Sequence, residues 1–176
     1  MLFSVTQVIP SNYDMIDPDV LDNASIRGII FHHAMMNHAK EIWVSALPNE
    51  VQPYFDSGRR WFDKYVDKII YIEKEFVHPV YKYVMHPDLV ATLRGNDLPS
   101  VIDYKTPATY FERQWGAQLS AYFFGIQASE NIELDGAMSM MVRKDGSDAV
   151  ARHVKNLHEA FNGFLMAYGS YKYFNG

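Results

Sequence analysis

The chain has 176 residues, 48% hydrophobic and 21% charged, enough for a single domain with a substantial core. It contains no Cys, which excludes disulfides, thiolate zinc sites and cysteine-held iron–sulfur clusters. A formal net charge of -5 counts against avid nonspecific nucleic-acid binding, and no apolar run approaches the ~18 residues that cross a bilayer.

Taken in order, Met1 to Pro10 predicts an edge strand and Ser11 to Asn23, rich in Asn, Asp and Pro, a loop. Residues 1–24 thus read as an N-terminal extension and 25–176 as the core. Ser25 is expected to cap a helix running to about Ala46, with Ile26, Ile29, Ile30, His33, Met36, Ile42 and Trp43 at helical spacing. Asn49 to about Ile69 predicts a second helix with Tyr54, Trp61, Phe62, Tyr65 and Ile69 on its apolar side. Arg59, Arg60, Lys64 and Lys68 form a basic stripe along it. Such a stripe is either a solvated face or a contact for nucleic-acid phosphates.

From Ile70 the pattern turns β-like, over Ile70–Val77, Val80–Met85, Asp88–Leu93 and Ser100–Thr106, with connections short enough for hairpins. Tyr110 to Ala128 predicts a helix that buries Phe111, Trp115, Leu119, Tyr122, Phe123 and Ile126. Glu133–Arg143 predicts a strand, Lys144-Asp145-Gly146 a turn, and Ser147 to about Tyr173 a closing helix. The order implies an α/β (α+β) fold: a central mixed sheet flanked by helices.

Asp88, Asp103 and Lys105 carry the strongest chemistry. Residues two apart on a strand leave the same face, so Asp103 and Lys105 point together. Asp88 opens the preceding strand and can reach that face across the hairpin. Two carboxylates offer hard oxygen ligands to Mg²⁺ or Mn²⁺, and such an ion acidifies water and clamps phosphate oxygens. A D-x-K alone is common on exposed strands. His32 can supply an imidazole from the first helix, as can His33 or His38, and position alone does not choose among them. Gln118 and Tyr122, four apart on a helix, share a face. Glu73 and Glu75 share a strand face, and either can add a ligand.

The set Gly28-x-x-x-His32, Glu75, Pro87-Asp88, Asp103-x-Lys105 and Gln118-x-x-x-Tyr122 resembles the RecB-type branch of the PD-(D/E)xK nuclease superfamily. It is also similar to phage lambda-type exonucleases and to the mitochondrial single-strand exonuclease of that branch. The resemblance implies a restriction-endonuclease-like core and a Mg²⁺- or Mn²⁺-dependent DNA nuclease, an exonuclease ahead of an endonuclease. Recombination, repair or DNA degradation is the implied setting, with phage coding one of its forms. It implies His32, Asp88, Asp103 and the Tyr104 backbone carbonyl as metal ligands, with Glu75 an outer one. Asp88, Asp103 and Lys105 become the catalytic set, and Gln118 and Tyr122 line the DNA path, with Arg59 and Arg60 as further phosphate contacts. Many relatives have Glu where this chain has Asp103, which shifts the metal.

DNA is the expected partner, with a helicase or a single-strand-annealing or -binding protein beside it. The expected setting is a reducing cytoplasm, the host's if the chain is phage-encoded. Three other readings compete. They are a structure-specific endonuclease, a noncatalytic nucleic-acid-binding protein of the same fold, and a metal-binding protein using His32, His33 and His38.

Overall fold

The alternation of Val101-Ile102-Asp103-Tyr104-Lys105 divides the molecule into layers. Val101, with Val90 and Ala137, packs into one apolar cluster with Leu119, Tyr122, Ile126 and Phe164. Ile102 and Tyr104, with Leu89, Ala91, Met138 and Met140, pack into a second with Phe31, Met35, Tyr54 and Trp61. One strand therefore feeds both cores, as a pleat buried on both faces must. Phe31 and Phe164 are wholly buried, and each such side chain contributes roughly 1.5–3 kcal/mol.

The computed structural model describes residues 2–10, 17–107 and 109–176. In chain order the elements are β1 (Phe3–Ser4), α1 (Val5–Val8), α2 (Pro18–Ala39), α3 (Gln52–Tyr65) and β2 (Val66–Ile72). They continue with β3 (Phe76–Val77), β4 (Tyr83–Met85), β5 (Leu89–Leu93), β6 (Pro99–Lys105) and α4 (Glu112–Glu130). The last three are β7 (Gly136–Met141), β8 (Val150–His153) and α5 (Leu157–Asn175). The fold is mixed α/β, with two mixed sheets and flanking helices. The main sheet has the order β2-β5-β6-β7-β8, and a small second sheet has the order β1-β4-β3. β2, β5 and β6 pair antiparallel as a meander, β7 joins β6 in parallel and β8 joins β7 antiparallel. The parallel step needs a long crossover, which α4 supplies. No helix among the described residues is long and apolar enough to cross a membrane.

Several boundaries differ from the sequence expectation. The expected N-terminal strand shrinks to Phe3–Ser4, which pairs with β4; Val5 and Val8 turn into a short buried helix instead. Of the loop expected over Ser11–Asn23, residues 11–16 lie outside the described residues. From Pro18 the chain is already helical, because Asp17 caps α2 by accepting from the Asp19 N–H at 2.9 Å and Pro18 fits the first turn. α2 ends at Ala39, so Ile42 and Trp43 fall beyond it and are exposed. Its buried side is Phe31, Ala34, Met35 and Ala39, while Ile26 and Ile29 face solvent. The second helix stops at Tyr65 and passes directly into β2, so Ile69 is a strand residue. The closing helix begins ten residues later than expected, at Leu157, where the Asn156 side chain accepts from the Glu159 N–H. The four residues Val150–His153 pair instead with β7.

Candidate functional site

β5 begins at Leu89 and β6 ends at Lys105, and the two run antiparallel with Leu89 opposite Ile102. Asp88 therefore sits at the same end of the sheet as Asp103, Tyr104 and Lys105. At that end β5 has stopped, and the β6 backbone outruns its partner. The Tyr104 N–H consequently donates to a side chain, Asp88 Oδ2, at 2.5 Å. On the other edge of β6 the Val142 N–H donates to the Lys105 carbonyl at 3.0 Å. Backbone groups alternate along a strand, so the Tyr104 carbonyl is directed to the side where β5 has ended.

Helices from both layers close this end. From α2, His32 places Nδ1 2.9 Å from Asp88 Oδ1. From α4, Gln118 spends its whole amide on the site. Its Nε2 donates to Asp103 Oδ1 at 3.0 Å and to the Tyr122 hydroxyl at 3.1 Å, and its Oε1 accepts from Lys105 Nζ at 3.0 Å. Lys105 Nζ also lies 2.6 Å from Asp103 Oδ2, but off the direction of a hydrogen bond, so that buried oxygen has a charge beside it and no donor. A cleft of about 330 Å³ opens over these groups, lined by His32, Asp88, Asp103, Lys105, Gln118 and Tyr122 with Trp115 and Thr6 at its sides.

Glu73 joins from the turn after β2. Donor atoms of His32, Glu73 and Asp88 all lie within 4.8 Å of one another. Glu73 has a left-handed backbone, φ 48°, and its N–H donates to the Asp88 carbonyl at 3.1 Å. The left-handed residue breaks strand parity, so Glu75 does not share the face of Glu73. Glu75 instead lies in the open, 3.5 Å from His86. Glu73 thus occupies the place expected of Glu75. The sequence signal for it was present in the E-x-E pair, but alternation alone does not say where the strand ends.

Burial and neighbouring charge shift several of these groups. Burial pushes the Asp103 carboxyl up, against the pull of Lys105, and the Asp88 charge pushes the same way as burial. Burial, and then the Asp88 charge, raises Glu73 to about 7. Burial alone would lower the His32 imidazole, but the Asp88 charge and hydrogen bond outweigh it and hold it at about 9. Three carboxylates share one end of the sheet with one Lys and one His. A divalent cation is the usual relief for such a set.

The donors could hold a divalent cation. The set is imidazole and carboxylate with no sulfur.

The other expected site residues divide. Gln118 and Tyr122 line the cleft, but they are only 8% and 2% exposed and their polar atoms are committed to each other and to Asp103 and Lys105. They hold the site more than they meet a ligand. Arg59 and Arg60 are not brought to it. Arg59 lies 4.0 Å from Asp56 on its own helix, and Arg60 pairs with Asp148 and the Gly146 carbonyl at the β7–β8 turn. His38 pairs with Asp63 at 2.6 Å, so His32, His33 and His38 do not form one metal-binding face.

Neither a protein-family model nor a curated protein matches the sequence. Among solved structures, the fold is similar to an alkaline exonuclease from Laribacter hongkongensis. The TM-score is 0.39 at 12% identity, over 98% of this chain and 90% of that one.

Proposed function

We propose that the chain is a divalent-metal-dependent deoxyribonuclease of the PD-(D/E)xK type. The observation that carries the reading is a His32–Glu73–Asp88 donor group at the same end of the sheet as an Asp103–Lys105–Gln118 network. Held by His32, Asp88 and Glu73, with Asp103 and the Tyr104 carbonyl beside them, Mg²⁺ or Mn²⁺ would acidify a water and offset charge on a scissile phosphate. Lys105, kept in place by the Gln118 carbonyl, presents an ammonium to a phosphate oxygen or to the attacking water. Asp103 places a carboxylate oxygen 2.6 Å from that ammonium. Asp88 fixes the His32 ring and the end of β6 together. Tyr122 closes the floor behind Gln118 and keeps water out.

An exonuclease is the favoured form, in recombination, repair or DNA degradation, as the motif resemblance implies. A helicase or a single-strand-annealing protein is its expected companion. The test is incubation of purified protein with linear and circular DNA, single- and double-stranded, under Mg²⁺ or Mn²⁺. Loss of linear DNA with circles intact supports the exonuclease, and cut circles support the endonuclease. A gel shift without cleavage under either metal defeats the nuclease assignment. Lys105→Ala and Asp88→Ala should each lower the rate by at least about a hundredfold with the fold retained. A wild-type rate in either variant would sink the assignment.

A further inference from the structure

Glu73, Lys74 and Glu75 carry the chain from β2, at the edge of the main sheet, to β3 in the small one. Glu73 turns the link with a left-handed backbone, a conformation that persists for a Glu only where its surroundings hold it. Its N–H donates to the Asp88 carbonyl at 3.1 Å, which fixes the start of the link. Lys74 fixes the middle. Its Nζ lies 4.2 Å from the centre of the Tyr71 ring and 4.7 Å from that of Phe76, and it donates to Glu130 Oε2 at 3.0 Å. The Tyr71 hydroxyl donates to the same oxygen at 2.8 Å. Glu130 is the last residue of α4, an end where the helix dipole disfavours a carboxylate. The Lys74 hydrogen bond, and then that of Tyr71, nevertheless hold its carboxyl below the usual carboxylate range. An exposed ion pair alone adds little to stability, so the clamp calls for another account.

We propose that Lys74 and Glu130 are positioning residues for the metal site, anchoring the link so that Glu73 faces His32 and Asp88. The inference rests on the reading of His32, Glu73 and Asp88 as metal ligands. Consecutive residues of the link reach helices of opposite layers, Glu73 toward His32 of α2 and Lys74 to Glu130 of α4. With the Asp88 carbonyl and Glu130 as its two anchors, the left-handed residue keeps its carboxylate within 4.8 Å of the His32 and Asp88 donor atoms. Without the Lys74 anchor the backbone of Glu73 is free to return to an ordinary conformation, which turns its side chain away. α4 then braces both halves of the site, Lys105 through Gln118 and Glu73 through Glu130.

The experiment measures Mn²⁺ affinity by calorimetry, with the metal-free melting temperature, for wild type, Lys74→Met, Lys74→Arg, Glu130→Gln and Glu73→Gln. Lys74→Met is also made in the Glu73→Gln background. Lys74→Met and Glu130→Gln should each lower Mn²⁺ affinity by about threefold or more, and Lys74→Arg, which keeps the charge, should stay within about twofold of wild type. In the Glu73→Gln background Lys74→Met should cost less than about twofold, because the carboxylate it positions is gone. A merely structural clamp would cost the same in both backgrounds. Glu130→Gln, at a helix end and still able to accept from Tyr71, keeps the test open if Lys74→Met does not fold. Smaller losses than about threefold in both single variants, or an equal loss from Lys74→Met with and without the Glu73 carboxylate, overturn the positioning role and leave the metal site standing. Absence of Mn²⁺ binding by wild type overturns both.

Discussion

At the scale of single residues, Glu73 decides the most. It lies with His32 and Asp88, whereas Glu75 stands apart with His86. Glu73→Gln should weaken Mn²⁺ binding by at least about tenfold, and Glu75→Gln should leave it unchanged. Calorimetric titration distinguishes them, and the reverse order would remove Glu73 from the metal group. His32 and Glu73 also set a pH dependence. Both have folded pKa values above their ordinary ones, about 9 against 6.5 and about 7 against 4.5. The folded protein therefore binds more protons than the unfolded chain between each pair of values. For His32 the stabilisation is complete below pH 6.5 and is lost as pH rises to 9; for Glu73, stability falls between pH 4.5 and 7. The metal-free difference in melting temperature between wild type and His32→Asn should shrink as pH rises from 6.5 to 9, while Mn²⁺ stabilisation of wild type grows. A metal effect that fades toward pH 9 would contradict this. Most of this set was legible in the sequence, because D-x-K on a strand and Q-x-x-x-Y on a helix each define one face. The choice between Glu73 and Glu75 was not, because a single left-handed residue resets the alternation.

At the scale of elements, α4 was the clearest to read and is the most constrained. It buries Trp115, Leu119, Tyr122, Phe123 and Ile126 as the periodicity predicts, and every residue from Gln118 to Phe123 is buried. Gly125 faces β4, where an added Cβ would stand 2.1 Å from Met85 Sδ and 3.1 Å from the Tyr83 hydroxyl. Met85 and Tyr83 are both fully buried, so neither side chain can swing away. Gly125→Ala should cost about 1–3 kcal/mol in denaturant unfolding, opposite in sign to the same change at mid-helix Gly28, where a Cβ would meet nothing within 4 Å. Equal stability of the two variants would mean that β4 yields. Two elements escaped the sequence reading for physical reasons. β8 is four residues of intermediate or exposed positions, too short for its alternation to stand out from the helix that follows. α2 carries apolar residues on two sides, and periodicity cannot say which side meets the core.

At the scale of the whole molecule, the formal charge of -5 and the acidic cleft oppose a polyanion. Under the nuclease reading, DNA binding and metal binding must then be one event. In EDTA the protein should not retain DNA in a gel. With Ca²⁺, which takes the same oxygen donors in looser geometry, it should retain DNA and cut it slowly or not at all. Retention in EDTA equal to that in Ca²⁺ would place the DNA-binding surface away from the cleft. Arg59 and Arg60 do not supply such a surface, since both have acidic neighbours.

His32 and Asp88 are separated by 56 residues, and they meet only where helices from opposite layers close over one end of the sheet. A chain emerging from the ribosome makes α2 early, long before Asp88, Lys105 and α4 exist to complete the cleft. Closure of such distant contacts comes late, after local structure has formed. Until then the side chains that line the cleft are not assembled. The two-layer placement of the site thus ties its assembly to completion of the fold.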